Sequence, residues 1–220
     1  MKIIVTCGPS YEPIDEVRRI TNFSTGTLGT RLASALAEAG HEVICLKGVA
    51  STTLERVSQA ETIPFTTNAD LLERLEELGQ TRSVGAIFHA AALADFKVHW
   101  EGVERRKISS REGPITLTLV PAEKVIGKLR GYFPDAKLIG WKYELDGGME
   151  ELLEKGERQM AENHTDYCIL NGAAYGEGFG VQERGKAHIH CVDPQTLCGW
   201  AKELVLGMGK EREIVRPLGD

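Results

Sequence analysis

Residues 2–48 read KIIVTCGPSYEPIDEVRRITNFSTGTLGTRLASALAEAGHEVICLKG, and this stretch decides the fold. Lys2 to Cys7 is an apolar run of strand length. From Thr27 to Ala39, the apolar residues Leu28, Leu32, Ala35, Leu36 and Ala39 recur at helical spacing, and Glu42 to Lys47 is a second strand-like run. Strand, helix and strand in that order form a βαβ unit, which builds a parallel sheet. Outward from it the rhythm continues. ETIPF (61–65) and VGAIFHA (84–90) are strands around a helix from about Asn68 to Leu78; a polar stretch from Asp95 to Gly113 and the alternating strand ITLTLV (115–120) follow. The second half predicts helices over Ala122 to Tyr132, Met149 to Asn163 and Pro194 to Leu206. Strands AKLIGW (136–141), YCIL (167–170) and AHIHCV (187–192) lie among them. The expected fold is α/β: a doubly wound, mainly parallel, Rossmann-like sheet, one domain over 1–220, with ligands at the carboxyl ends of the strands.

Two stretches exceed ordinary connections. Residues 8–26 separate the first strand from its helix by far more than the usual span, and long loops inside compact domains tend to be functional. Residues 172–185 (GAAYGEGFGVQERG) are glycine-rich and read as a possible lid. The whole chain is 220 residues with 42% hydrophobic and 26% charged residues and a formal net charge of −6, a balance that fits a globular domain and disfavours a nucleic-acid partner. Its apolar runs are too short to span a bilayer and its start has no basic, cleavable leader, so a cytoplasmic location with no membrane partner is expected. Five scattered cysteines without a CxxC spacing predict free thiols. His188 and His190 share a strand face near Cys191, but no third ligand stands nearby, so no metal site is predicted and both read as solvated.

The loop over 8–26 is the richest in chemistry. The Gly8-Pro9-Ser10 turn, just past the first strand, offers the main-chain N–H groups of Gly8 and Ser10, and Ser24, Thr25 and Gly26 open a helix whose N-terminus suits an anion. Arg18 and Arg19 add guanidinium forks for phosphate. A second constellation, Ala90 to Asp95, ends the strand VGAIFHA: the small Ala91 and Ala92 admit a flat ligand, and Asp95 accepts hydrogen bonds from ribose or base. Lys107, in RRKISS, is a flexible cation suited to phosphates. A dinucleotide site would need GxGxxG in the first turn and an acidic end to the second strand, whereas here those are CGPS and Lys47-Gly48; a P-loop motif is also missing. Thr25-Gly26-Thr27-Leu28-Gly29 mimics the turn of short-chain reductases, yet no tyrosine is followed by a lysine at YxxxK spacing.

These residues together resemble the phosphopantothenate-cysteine ligase family. The carriers are GPSYEPIDEVRRITNFSTG, then AALAD, KISS, KLIGWK and NHTDYCILN, in family order over nearly the whole chain. The resemblance implies a dinucleotide-binding-like sheet that forms a homodimer. It implies a ligase that joins 4'-phosphopantothenate and L-cysteine through an acyl-nucleotidylate in coenzyme A biosynthesis, with CTP or ATP as co-substrate and Mg2+. The stand-alone form lacks a flavin decarboxylase half, so no flavin is expected. By position, Asn22 matches the asparagine acting on the acyl-nucleotidylate and Arg18 the arginine reaching the substrate phosphate, across to the neighbouring subunit. Lys107 is expected in catalysis and nucleotide binding. Asp95, Ala91, Ala92, Trp141 and Lys142 are expected on the nucleotide, and Asn171 on the substrate. The chain departs from fused enzymes at Ala122-Glu123-Lys124, at Gln159 and Asn163 in place of two helix lysines, and at Gly172. Two other readings fit parts of the chain: an NADP-dependent short-chain-type reductase and a non-catalytic nucleotide- or metabolite-binding homologue.

Overall fold

The computed structural model describes residues 1–100 and 106–214, without the side chains of 112 and 209–214, so part of the polar stretch after Asp95 lies outside the described residues. In chain order the main sheet uses β1 (Lys2–Cys7), β4 (Glu42–Gly48), β5 (Glu61–Phe65), β6 (Ala86–His89), β9 (Lys137–Tyr143), β10 (Tyr167–Asn171), β11 (Phe179–Glu183) and β12 (Ile189–Cys191). Two ribbons stand apart from it: β2 (Tyr11–Pro13) with β3 (Arg19–Thr21), and β7 (Phe96–His99) with β8 (Thr118–Pro121). The helices are α1 (Thr27–Glu38), α2 (Asn68–Thr81), α3 (Ile126–Tyr132), α4 (Met149–Asn163) and α5 (Pro194–Ile214). None of the helices among the described residues is long and apolar enough to cross a membrane.

The sheet runs β12-β11-β10-β9-β6-β1-β4-β5. Every pairing from β5 across to β10 is parallel; β11 and β12 close one edge antiparallel. The order matters for function. From β1 the chain moves outward through β4 and β5, then returns to β1's other side and moves away through β6, β9 and β10. Between β1 and β6 lies a topological switch point, where open α/β sheets hold their ligands.

Burial on both faces explains the continuous apolar runs. Odd residues of β1, with Phe88 and Ile139, meet Leu32, Leu36, Leu197 and Ala201 of α1 and α5. Even residues, with Ile87 and Leu138, meet Leu71, Leu75 and Leu129 of α2 and α3. Leu152 and Met160 of α4 cover Cys168 and Leu170 farther along. α1 packs close because Gly29 has no side chain: a Cβ there would fall 2.2 Å from the Cys7 Cβ.

The structure revises several boundaries. Residues 8–26 are not structureless, since a hairpin, β2–β3, folds inside them. The possible lid over 172–185 contains β11, paired to β10 from Leu170↔Gly180 to Tyr167↔Glu183, with Val181 and Gln182 buried; only 172–178 is irregular before it. The predicted strand over 115–120 shifts to Thr118–Pro121 and joins β7 instead of the main sheet. α3 begins at Ile126, four residues later than expected, and α5 runs on past Leu206 to Ile214. All five cysteines are free and buried.

Gly29→Ala is expected to destabilise the domain by about 1–3 kcal/mol through overpacking against Cys7, although alanine is the better helix former in isolation. Urea unfolding of the two proteins measures it; a more stable variant would show that α1 can move away from β1.

Candidate functional site

At the switch point β1 and β6 go on pairing after both strands have ended. Pro9 bridges to Ala92, Ala92 N–H donates to Gly8 O at 3.0 Å, and Ser10 N–H donates to Ala92 O at 3.2 Å. The buried Ser10 hydroxyl then accepts from Ala94 N–H at 2.8 Å. The Gly8–Ser10 turn and the Ala91–Asp95 segment are therefore one main-chain unit. Gly8 (φ +75°) and Gly26 (φ +80°) take the left-handed conformation that suits glycine. The turns they make stand against each other: a Cβ on Gly26 would lie 3.1 Å from the Gly8 Cα, and one on Gly48 would lie 2.2 Å from Pro9 O. Thr25 O accepts from Thr53 N–H at 3.1 Å, tying the start of α1 to the loop after β4.

The hairpin lays its last residues over this unit. The Asn22 amide nitrogen donates to Ala92 O at 3.2 Å and Leu93 O at 3.0 Å, two residues from Asp95. Asn22 and Asp95 thus share one end of the sheet. Arg18 and the Lys107 segment also meet, through a residue the sequence reading passed over. The Asp15 carboxylate, its side chain 1% exposed, accepts from Val17 N–H (2.9 Å), Arg18 N–H (2.8 Å) and Ile108 N–H (3.1 Å), and pairs with the Arg18 guanidinium at 3.3 Å. Arg18 Nη2 completes the clasp by donating to Ile108 O at 2.9 Å. Burial pushes the Asp15 carboxyl up, but the three N–H donors and the arginine outweigh it and hold it below the ordinary carboxylate value. Within one chain, Arg18 is therefore turned toward Asp15 and Ile108, and Lys107, exposed, stands next to the clasp.

Asp95 is exposed and paired with Lys124, at the position where fused enzymes carry a different dipeptide. Under the alanine segment, the fully buried His89 bonds Thr6 Oγ1 through Nδ1 at 2.9 Å, and Thr6 Oγ1 accepts from Ala91 N–H at 3.3 Å. Burial alone lowers the His89 pKa to about 4, so the ring is neutral near pH 7.

Trp141, Lys142 and Asn171 lie one and two strands away from this cluster. Trp141 is partly buried and packs against the core, with its indole N–H buried and without a hydrogen-bond partner. Lys142 pairs with Glu144 at 2.9 Å, and Asn171 Oδ1 is buried without a partner at the end of β10. Gly172 is demanded by its turn: φ is +106° and a Cβ would meet Glu144 O at 2.2 Å. Gln159 donates to Trp141 O at 3.2 Å, and Asn163 turns back to Gln159 O at 2.8 Å, so both replacements for the family lysines are used inside the protein. Among the described residues no group of three His, Cys, Asp or Glu could hold a metal ion. His190 is exposed, as expected, and also stacks on Tyr175 and bonds its hydroxyl through Nδ1 at 2.9 Å.

The family model for the DNA/pantothenate metabolism flavoprotein C-terminal domain matches residues 1–198. The chain is similar to the coenzyme A biosynthesis bifunctional protein CoaBC of Thermococcus kodakarensis, 29% identical over 83% of this chain and 43% of that protein. It is also similar to phosphopantothenate-cysteine ligase 2 of Oryza sativa subsp. japonica, 25% identical over 78% of this chain and 68% of that protein. The chain thus spans less than half the length of the bifunctional relative. Among solved structures, the DNA/pantothenate metabolism flavoprotein from Streptococcus pneumoniae shares the fold with a TM-score of 0.80 at 24% identity, over 94% of this chain and 99% of that one.

Asp15→Asn is expected to loosen the clasp while leaving the sheet intact, speeding hydrogen exchange at Ile108 by about tenfold or more with β1 unaffected. For His89 the folded pKa lies below the ordinary value of 6.5, so the unfolded chain binds more protons in between. Stability is then full above pH 6.5 and falls by roughly 3 kcal/mol as pH drops to about 4. Urea unfolding across that range should lose this component in His89→Gln; an unchanged slope would refute the assignment.

Proposed function

The chain belongs to the family of the DNA/pantothenate metabolism flavoprotein C-terminal domain, and on that premise we propose that it joins 4'-phosphopantothenate to L-cysteine with CTP or ATP, in coenzyme A biosynthesis. The observation that carries the reading is the placement of the Asn22 amide on Ala92 and Leu93, with main-chain turns at Gly8–Ser10 and Ser24–Gly26 on the same end of the sheet. A carboxylate is a poor electrophile and must be activated. Its oxygen attacks the α-phosphorus of the nucleoside triphosphate, forming the acyl-phosphate bond as pyrophosphate leaves. The cysteine amine then attacks the acyl carbon, loses a proton, and displaces the nucleoside monophosphate.

Both steps build negative charge on oxygens, and oriented donors stabilise it best where water is excluded. The N–H groups of the Ser24–Gly26 turn that opens α1 would hold phosphoryl oxygens, and the Gly8–Ser10 turn, whose Ser10 N–H is already given to Ala92 O, would form the wall beside them. Asn22 would exchange the longer of its two bonds, the one to Ala92 O, for the acyl oxygen. Lys107, beside the Asp15 clasp, would reach the triphosphate as a mobile cation, and Asp95 with the Ala91–Ala92 main chain would hold the nucleoside. Arg18 would serve the substrate phosphate, Asn171 would contact the substrate, and Trp141 with Lys142 would border the nucleotide from β9. Among the described residues no carboxylate cage stands ready for a metal, so Mg2+ would be held mainly by phosphates and water and, when bound, would supply charge neutralisation on the triphosphate.

A homodimer belongs to the same proposal. Phe23, beside Asn22, stands fully in solvent, and Val17 (62% exposed), beside Arg18, with Phe96 and Leu119 of the β7–β8 ribbon, is about half-exposed. Apolar side chains grouped on two projecting ribbons suit burial against a second copy, which would bring Arg18 to a neighbouring site. The comparisons support neither the reductase nor the non-catalytic reading.

Pyrophosphate release on mixing with 4'-phosphopantothenate, cysteine and CTP or ATP tests the activity, and its absence with both nucleotides would overturn it. Asn22→Ala is expected to lower kcat by about 10²- to 10³-fold with nucleotide binding preserved. Lys107→Ala should raise the nucleotide KM and lower kcat/KM. Calorimetric nucleotide titration separates the two effects: lost binding in Asn22→Ala, or an unchanged KM in Lys107→Ala, would show that the roles are misassigned. Light scattering at micromolar concentration should report a dimer, and a fully active monomer would contradict it.

A further inference from the structure

The loop after β4 carries a serine to which the proposed reaction has so far given no task. Ser51 is fixed by its own N–H, which donates to Gly48 O at 3.0 Å. Its hydroxyl oxygen is buried and has no hydrogen-bond partner. Its location is specific: a Cβ added to Gly8 would lie 1.9 Å from Ser51 Oγ, and one added to Gly26 would lie 2.8 Å from it. The hydroxyl therefore occupies the seam between the two glycine turns, in the space their side chains would otherwise claim. A buried hydroxyl without a partner opposes folding, and among such groups in the described residues Ser51 is the one that stands between the two glycine turns. The residue as a whole is only half-buried, which leaves its side chain within reach of a ligand at the surface of the two turns.

We propose that Ser51 is a binding residue for the polyphosphate of the nucleotide, its hydroxyl donating to a phosphoryl oxygen held between the Gly8 and Gly26 turns. The inference rests on the ligase reading above and adds a residue to its site. It also accounts for serine at this position, since alanine would fill the same seam without leaving a polar atom unsatisfied.

The test compares wild type with Ser51→Ala and Ser51→Cys by calorimetric titration of CTP, ATP and inorganic pyrophosphate with Mg2+, together with thermal unfolding of the unliganded proteins. A hydrogen bond to a charged oxygen corresponds to about tenfold or more in affinity. Ser51→Ala should weaken the tightest-binding of the three by that factor while its unliganded Tm stays level or rises, and Ser51→Cys, a poor donor of similar size, should bind as weakly. If Ser51→Ala binds all three probes as wild type does, Ser51 plays no part in binding and the ligase reading stands. If both variants lose Tm and affinity together, the hydroxyl is structural and the proposal fails. If wild type binds none of the probes, the ligase reading falls and the proposal with it.

Discussion

Everything at the functional end of this protein depends on main-chain pairing that outlasts the strands. β1 and β6 are parallel neighbours whose register, Ile3↔Ala86 through Thr6↔His89, continues through the exchange between Gly8, Ser10 and Ala92. Loops leaving adjacent parallel strands normally diverge. Here they are stitched together, so that a turn suited to anions and a segment of alanines suited to a flat ring are held at fixed separation by hydrogen bonds rather than by side-chain packing. The cost falls on residue choice. Gly48 passes so close to Pro9, and Gly26 to Gly8, that any side chain would strike main chain.

Charge is arranged with similar economy. The molecule is acidic overall, yet cations gather where β1 and β6 end, and each is steered by a carboxylate: Arg18 by Asp15, Lys124 by Asp95. Asp15 is the more telling case, because its three N–H donors come from two segments far apart in sequence. It makes the hairpin and the Lys107 segment a single body. The exposed pair at Asp95 has no such enclosure, and solvent screening leaves it weak and exchangeable, which suits a group meant to meet a ligand.

Much of the fold was legible because burial on both faces writes itself as continuous apolar runs, and because α1 and α4 keep a clean helical period; Met149–Asn163 matches its expected bounds. β11 carries no local signature since FGVQE is neither apolar nor alternating: the amide nitrogen of its buried Gln182 donates to Leu153 O and Glu157, a tertiary arrangement. β8 read as a sheet strand because alternation reports a half-covered face without naming the partner. At the site, Gly8–Ser10 and Ala91–Asp95 were legible because turn chemistry and small residues are local signals, whereas Asn22 came only with the family resemblance. Asp15 offered one hint, an acid three residues before an arginine and able to accept from the N–H groups that follow it. Ser51 offered none, as its place is set by three segments meeting in space. Which side Trp141 faces was not legible, because an aromatic near a strand end carries no local signal for it.

The central position of β1 also sets an order of events during synthesis. Its two flanking partners lie at very different distances along the chain: β4 follows after one helix, whereas Thr6 waits for His89, 83 residues later. At typical elongation rates that gap lasts about 4–17 s. Through that interval an apolar strand, Ile3-Ile4-Val5, has one edge covered and the other open. A nascent chain of this kind is sticky on one side, and parallel pairings across such separations form slowly. The architecture that gathers the site at its middle therefore makes that middle wait for a distant strand, and leaves the newborn chain dependent on whatever shields its open edge until β6 arrives.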